Sequence, residues 1–168
     1  MSAGSRSGRL LGALGRGPTS TLGRDVALAA VRVALAWIFL YYGAGKLFGA
    51  FHGPGLHATA DFMADVAHLR PGLFFAVLAG VLEFAGALCA ALGLATRLAG
   101  LALLGDQVMA MVTVTWTNGI NSLTNHPGYE FNLALAALSL VLVCLGGGRL
   151  SVDHHIGHRP PPHRGGEP

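Results

Sequence analysis

Three charged side chains interrupt otherwise apolar stretches of the sequence, and they are where chemistry is to be expected. Arg32 lies in the run Val26 to Leu47, Glu83 in Leu73 to Leu94, and Asp106, followed by Gln107, in Leu98 to Thr117. A charge in a hydrocarbon core costs at least about 2.5–3.5 kcal/mol, so each needs a partner or water. Counting about 1.5 Å per residue from the inner boundary puts Arg32 roughly 9 Å deep, Asp106 roughly 13 Å and Glu83 roughly 17 Å. A long arginine spans that spread, so Arg32 is expected to meet Glu83. Two acids against one arginine leave one excess negative charge, and one acid is expected to hold a proton. Such a group relays protons or holds a ligand; the alternative is that Arg32 and Glu83 only pin two helices together.

The elements that must position these groups are helices. Of the 168 residues, 52% are hydrophobic and 11% charged, against about 25% charged in soluble domains, so the chain is expected to dissolve in lipid. We expect an all-α integral membrane protein, a four-helix transmembrane bundle with spans at 26–47, 73–94, 98–117 and 131–145. Only Ala95, Thr96 and Arg97 separate the second and third spans, which makes an antiparallel hairpin. Residues 1–25 and 154–168 read as disordered tails, the second His- and Pro-rich, around a single membrane domain at 26–153. The N-terminal tail makes a poor signal peptide, and the first span is expected to be retained.

Spacing aligns small residues with the charges. Arg32, Ala36, Phe39, Gly43 and Lys46 form one stripe, and Ala79, Glu83, Gly86, Ala90 and Gly93 another. Asp106, Ala110, Thr113 and Thr117 form a third, and Glu130, Ala134 and Ala137 a fourth, so four helices can converge on a polar axis. Lys46 falls at the outer edge of the first span, where a lysine snorkels. Between the first two spans, Leu56 to Leu69 reads as an amphipathic helix on the membrane surface, with Phe62, Met63 and Val66 toward lipid.

Arginine and lysine fall mainly in the two tails and the Arg97 turn, which places both termini in the cytoplasm (N-in/C-in) and the chain in a bacterial inner membrane. The net charge of +3 is thus a topology signal, with no basic helical face for nucleic acid. The eight histidines show no ligand spacing and none lies within a span, so neither a metal site nor haem is expected. Cys89 and Cys144 read as small hydrophobes. Trp37, Trp116, Tyr41 and Tyr42 suit core packing or an outer aromatic belt better than quinone stacking. No nucleotide-binding or catalytic-triad motif occurs, so no catalytic residue is assigned.

From about Asp25 to Asp153 the chain resembles the DoxX family of small four-span membrane proteins. The landmarks are Arg32, the run Gly43-Ala44-Gly45-Lys46-Leu47-Phe48, Glu83 with Gly86, Gly93-Leu94-Ala95-Thr96-Arg97, Gly128-Tyr129-Glu130, and Gly146-Gly147-Gly148-Arg149-Leu150-Ser151-Val152-Asp153. Asp106 is not among them and rests on the charge argument. The resemblance implies a link to redox and sulfur metabolism, with soluble partners of the dismutase and sulfurtransferase kinds. The expected role is a subunit or scaffold of a redox-linked membrane complex, at most a non-catalytic or quinone-contacting part of an oxidoreductase, with quinone as the one cofactor in view. The alternative is a small proton-coupled carrier or permeation protein using Arg32, Glu83 and Asp106, working as a homo-oligomer because four helices enclose little space.

Overall fold

The structure, a computed structural model, describes residues 21–121 and 127–157, and its described part is all-helical. Helix α1 runs Thr21–Phe48, α2 Gly55–Asp65, α3 Gly72–Leu92, α4 Thr96–Ala110, α5 Glu130–Leu145 and α6 Val152–Gly157. Helix α4 continues as a π-helical turn, Met111–Thr115, and a 3-10 turn, Trp116–Asn118. Three helical stretches are long and apolar enough to cross a membrane: α1, α3 and Thr96–Asn118. Helix α5, with 16 residues, is apolar but shorter. Leu22, Val33, Leu88, Leu98, Leu101, Val112 and Leu140 are among many apolar side chains left exposed, a surface suited to lipid. The chain is therefore a membrane-embedded multi-helix protein.

The boundaries differ from the sequence reading where polar residues join a helix. Helix α1 starts at Thr21, so residues 21–25 extend it, and Asp25 is buried. Residues 154–157 belong to a helix, Val152–Gly157, where a tail was expected. The expected disorder of residues 1–20 and 158–168, and His126, fall outside the described residues.

Helices α1 and α3 pack antiparallel with their backbones close. A Cβ on Gly43 would lie 2.6 Å from the Phe84 amide nitrogen, and one on Gly80 would meet Leu47 at 2.6 Å. Hence Gly43 is level with Phe84 and Leu47 with Gly80. Eight further residues of α3 rise beyond that point to Gly72, about 12 Å of helix with no α1 beside it. Helix α2 occupies that space, since a Cβ on Gly72 would fall 2.2 Å from the Ala60 carbonyl oxygen. The chain reaches it by folding back on α1: Gly53 sits against Gly45 so closely that a Cβ would come 2.4 Å from the Gly45 Cα. Helix α2 is thus packed on the Gly72 end of α3. Phe62 and Val66 are exposed, as expected, while Met63 is half-buried.

Leu35, Phe39, Ala87, Ala90, Leu103, Leu135 and Leu142 form the buried core, a layer contributed by α1, α3, α4 and α5. The inward stripes of α1 and α3 agree with the spacing: Arg32, Ala36, Phe39, Gly43, Glu83, Gly86, Ala90 and Gly93 are buried. That of α5 does not. Ala134 and Ala137 are exposed, while Leu135, Ala136, Ser139 and Leu142 face in. On α4 the π turn changes the register, so Thr115 is buried and Thr117 exposed. Trp37 is 77% exposed in the middle of α1, outside both core and belt, whereas Trp116 stacks on Tyr129 with ring centroids 5.3 Å apart.

Candidate functional site

Two polar centres lie on opposite sides of the apolar layer, and Arg32 and Glu83 belong to different ones. Arg32, 4% exposed, reaches toward the loop end of the bundle. Its Nε donates to the Ala90 carbonyl (2.9 Å), Nη2 to Ala91 (2.8 Å), and Nη1 to Gly147 (3.0 Å) and Leu150 (2.8 Å). The expected Arg32–Glu83 pair is absent. The carbonyls at the end of α3 carry the negative end of the helix dipole, and that of Ala90 has only the Gly93 N–H beside it, so they attract the guanidinium without a carboxylate.

Beside Arg32, Asp153 caps α4 from a distant part of the chain. Its carboxylate accepts from the Ala95 N–H (2.7 Å), the Thr96 N–H (2.8 Å) and the Thr96 hydroxyl (2.8 Å). Burial acts to raise this carboxyl, but the Thr96 and Ala95 donors and the Arg32 charge outweigh it, leaving Asp153 below the ordinary carboxylate range. A lowered folded value means the cap contributes fully above the unfolded carboxyl's value of about 4, and is lost as pH falls through the folded one. Asp153→Asn is expected to cost about 1 kcal/mol near neutral pH, the ordinary worth of an N-cap. It should also flatten the acid limb of thermal stability below about pH 4; an unchanged limb would show that the cap carries none of it.

The second centre is built on Lys46, the partner that sequence reasoning left at the outer edge. Lys46 Nζ forms an ion pair with Glu83 Oε1. Helix α1 ends near the level of Gly80, about 12 Å along α3 from Gly72, so Lys46 lies inside the bundle, one turn from Glu83. Glu83 is 3% exposed; its Oε2 has no hydrogen-bond donor, and the neighbouring group is a second carboxyl, Asp106.

From Asp106 a polar chain crosses to α5. Gln107 Nε2 donates to Asp106 Oδ2 (3.0 Å), Asn132 Nδ2 to Gln107 Oε1 (2.9 Å), and the Thr115 hydroxyl to Asn132 Oδ1 (3.2 Å). Sequence reasoning missed Asn132 and Thr115. A polar residue three positions before the inward Leu135 signals the first, and nothing in the spacing signals a π turn. This chain of amides and a hydroxyl orients Asp106.

Above these groups lies a cavity of about 660 Å3 between α2, α3 and α4. Its polar lining is Lys46, Asp106, Thr59, Thr113, Thr115 and Asn132; its walls include Phe62, Met63, Phe75, Leu78, Leu82 and Met109. Phe62, Leu78 and Met109 are also exposed, so the cavity opens sideways onto apolar surface. Its volume and its few convergent polar groups suit a small, mostly apolar ligand.

Of the other expected positions, Arg97 lies beside the first centre, on a concavity that Asp153 also lines. Arg97 and Glu130 are exposed in the first turns of α4 and α5. Cys89 is half-buried and Cys144 exposed, both as free thiols. Among the described residues no three His, Cys, Asp or Glu side chains are grouped to hold a metal. The DoxX family model matches residues 27–116, a stretch that contains Arg32, Lys46, Glu83 and Asp106. No curated protein and no solved structure matches the chain.

Proposed function

The chain belongs to the DoxX family, and on that premise we propose that it is a membrane subunit of a redox-linked complex that holds a quinone-class ring in the cavity above Lys46 and Asp106. The observation that carries this reading is the pairing of an apolar, laterally open cavity with a buried acid pair and a lysine at its base. A quinone supplies two carbonyl oxygens that accept hydrogen bonds and take up protons on reduction. Here Lys46 offers donors to such oxygens, Asn132 takes up the Thr115 hydroxyl, and Phe62, Met63, Phe75 and Leu82 exclude water around the ring. Glu83 and Asp106 hold one shared proton beside it, and Lys46 balances the remaining charge. Electrons come from the oxidation of a thiol or a reduced sulfur compound at a soluble partner enzyme.

The proton-coupled carrier is the weaker reading. Both acids lie on one side of the Leu35, Phe39, Leu103, Leu142 layer and Arg32 on the other, so a path between them would have to open the best-packed part of the bundle. Four spans, with α5 as a short fourth, and both termini in the cytoplasm complete the proposal. A cysteine replacing Asp65 at the end of α2, in a chain freed of Cys89 and Cys144, should react with an impermeant maleimide from the outer face. Reaction from the inner face alone would reverse the orientation.

The functional test titrates a short-chain ubiquinone into the purified protein in nanodiscs and reads thermal stability. Saturation at about 100 times Kd should raise stability by roughly 2.7 kcal/mol. Ala58→Trp, which fills the cavity from α2, should abolish the rise, and Val81→Trp, on the outer surface of α3, should keep it. No rise in the unaltered chain sinks the quinone reading. Partner proteins recovered with the tagged chain from its native membrane would then decide between scaffold and carrier: oxidoreductase, dismutase or sulfurtransferase subunits favour the scaffold, and a bare homo-oligomer the carrier.

A further inference from the structure

We propose that the opposite end of the bundle carries a binding site for the headgroup of an anionic phospholipid, formed by Arg24, Arg97 and Arg149 around a concavity of about 640 Å3. This is independent of the cavity at Lys46 and of the quinone reading. The three arginines come from the start of α1, the start of α4 and the segment after α5, and all three are exposed. Both carboxylates beside them are already engaged by backbone donors. Asp25 accepts the Arg149 N–H at 3.1 Å, and Asp153 accepts those of Ala95 and Thr96. None of the three guanidiniums therefore makes an ion pair with another described residue, and the concavity keeps a local excess of positive charge. Its floor is the glycine segment Gly146 to Gly148, closely packed on its neighbours. Gly147 lies so close to Ser151 and Thr96 that a Cβ would come within 2.6 Å of each, and the Arg97 Nε is 3.5 Å from where a Gly146 Cβ would stand.

The chemistry recognised is a phosphate, and the walls favour one attached to a lipid. Leu98 and Leu145 line the same concavity and are exposed, so the polar pocket runs directly into an apolar surface that acyl chains can follow. Guanidinium forks match phosphate oxygens in pairs, and three of them suit a headgroup with two phosphates better than one with a single phosphate.

Native mass spectrometry of the full chain, released from detergent with graded cardiolipin, phosphatidylglycerol or phosphatidylethanolamine, tests this. Cardiolipin should be retained roughly tenfold better than phosphatidylethanolamine, with phosphatidylglycerol between them. Arg97→Gln/Arg149→Gln should bring cardiolipin down to the phosphatidylethanolamine level, while Arg70→Gln, an exposed arginine at the far end, should leave the preference intact. Equal retention of all three lipids by the unaltered chain overturns the site even if the double variant is unstable, as does a folded double variant that keeps the preference. Inorganic phosphate at 10 mM is the remaining arm. If phosphate binds and displaces cardiolipin, the site takes free phosphate and the lipid assignment fails.

Discussion

Lys46→Met is expected to lower stability by about 3 kcal/mol, the low end for breaking a buried ion pair. Without Lys46, Glu83 and Asp106 face each other with no cation between them, and Lys46 is itself only 25% exposed along its side chain. The low end applies because a second proton can neutralise the pair, which limits the cost of an uncompensated buried charge. Glu83→Gln in the same chain removes that charge, so Lys46→Met/Glu83→Gln should recover much of the loss. The resulting interaction energy is about 2 kcal/mol, measurable by a double-mutant cycle on reversible unfolding in bicelles. Arg32→Met and Glu83→Gln, which share no contact, should instead add. Additive losses at Lys46 and Glu83 would separate them and remove the base of the proposed quinone cavity.

That cycle also isolates what the sequence hid. The apolar runs located α1, α3, α4 and α5 to within a few residues, and the Ala95-Thr96-Arg97 connection correctly made α3 and α4 neighbours. The charged and small-residue stripes of α1 and α3 were legible because every third or fourth position repeats without interruption. Depth was not legible. Estimating it from the ends of apolar runs assumes that every helix crosses the same thickness, yet α1 begins early at Thr21 and ends at the level of Gly80, with α2 stacked beyond it. This displacement exchanges the partners: Lys46 arrives beside the acids and Arg32 beside the carbonyls. The inward face of α5 was misread for a different reason. Small residues mark close backbone approach, but α5 meets the core through Leu135 and Leu142, and the close approach is supplied by Gly100 on α4, where a Cβ would lie 3.0 Å from the Ser139 carbonyl oxygen. Asp106 was singled out by charge alone and lines the cavity, whereas its connection to Asn132 and Thr115 depends on a π turn that no residue pattern announces.

Arg32→Lys is expected to be nearly as damaging as Arg32→Met, each costing about 3 kcal/mol or more. Four carbonyls from two separate parts of the chain accept from three different nitrogens of this side chain. A charge-assisted hydrogen bond contributes about 1.5–3 kcal/mol, though bonds from one group do not sum. Lysine keeps the charge but presents its donors from a single point, and cannot span the end of α3 and the glycine segment after α5 together. Gly93→Ala should produce a related defect by another route, because a Cβ there would stand 2.7 Å from the guanidinium carbon. Hydrogen exchange offers a local readout: freeing Gly147 and Leu150 from Arg32 should speed exchange across 148–157 and leave the Lys46 end unchanged. Asp153 gives a second one. Arg32 helps hold its carboxyl low, so in Arg32→Met that value moves up toward the ordinary one, and the acid loss of stability begins at higher pH. A lysine variant with normal exchange and an unmoved acid limb would mean that the charge alone matters here. The fourfold carbonyl geometry would then not be what holds α3 to the segment that follows α5.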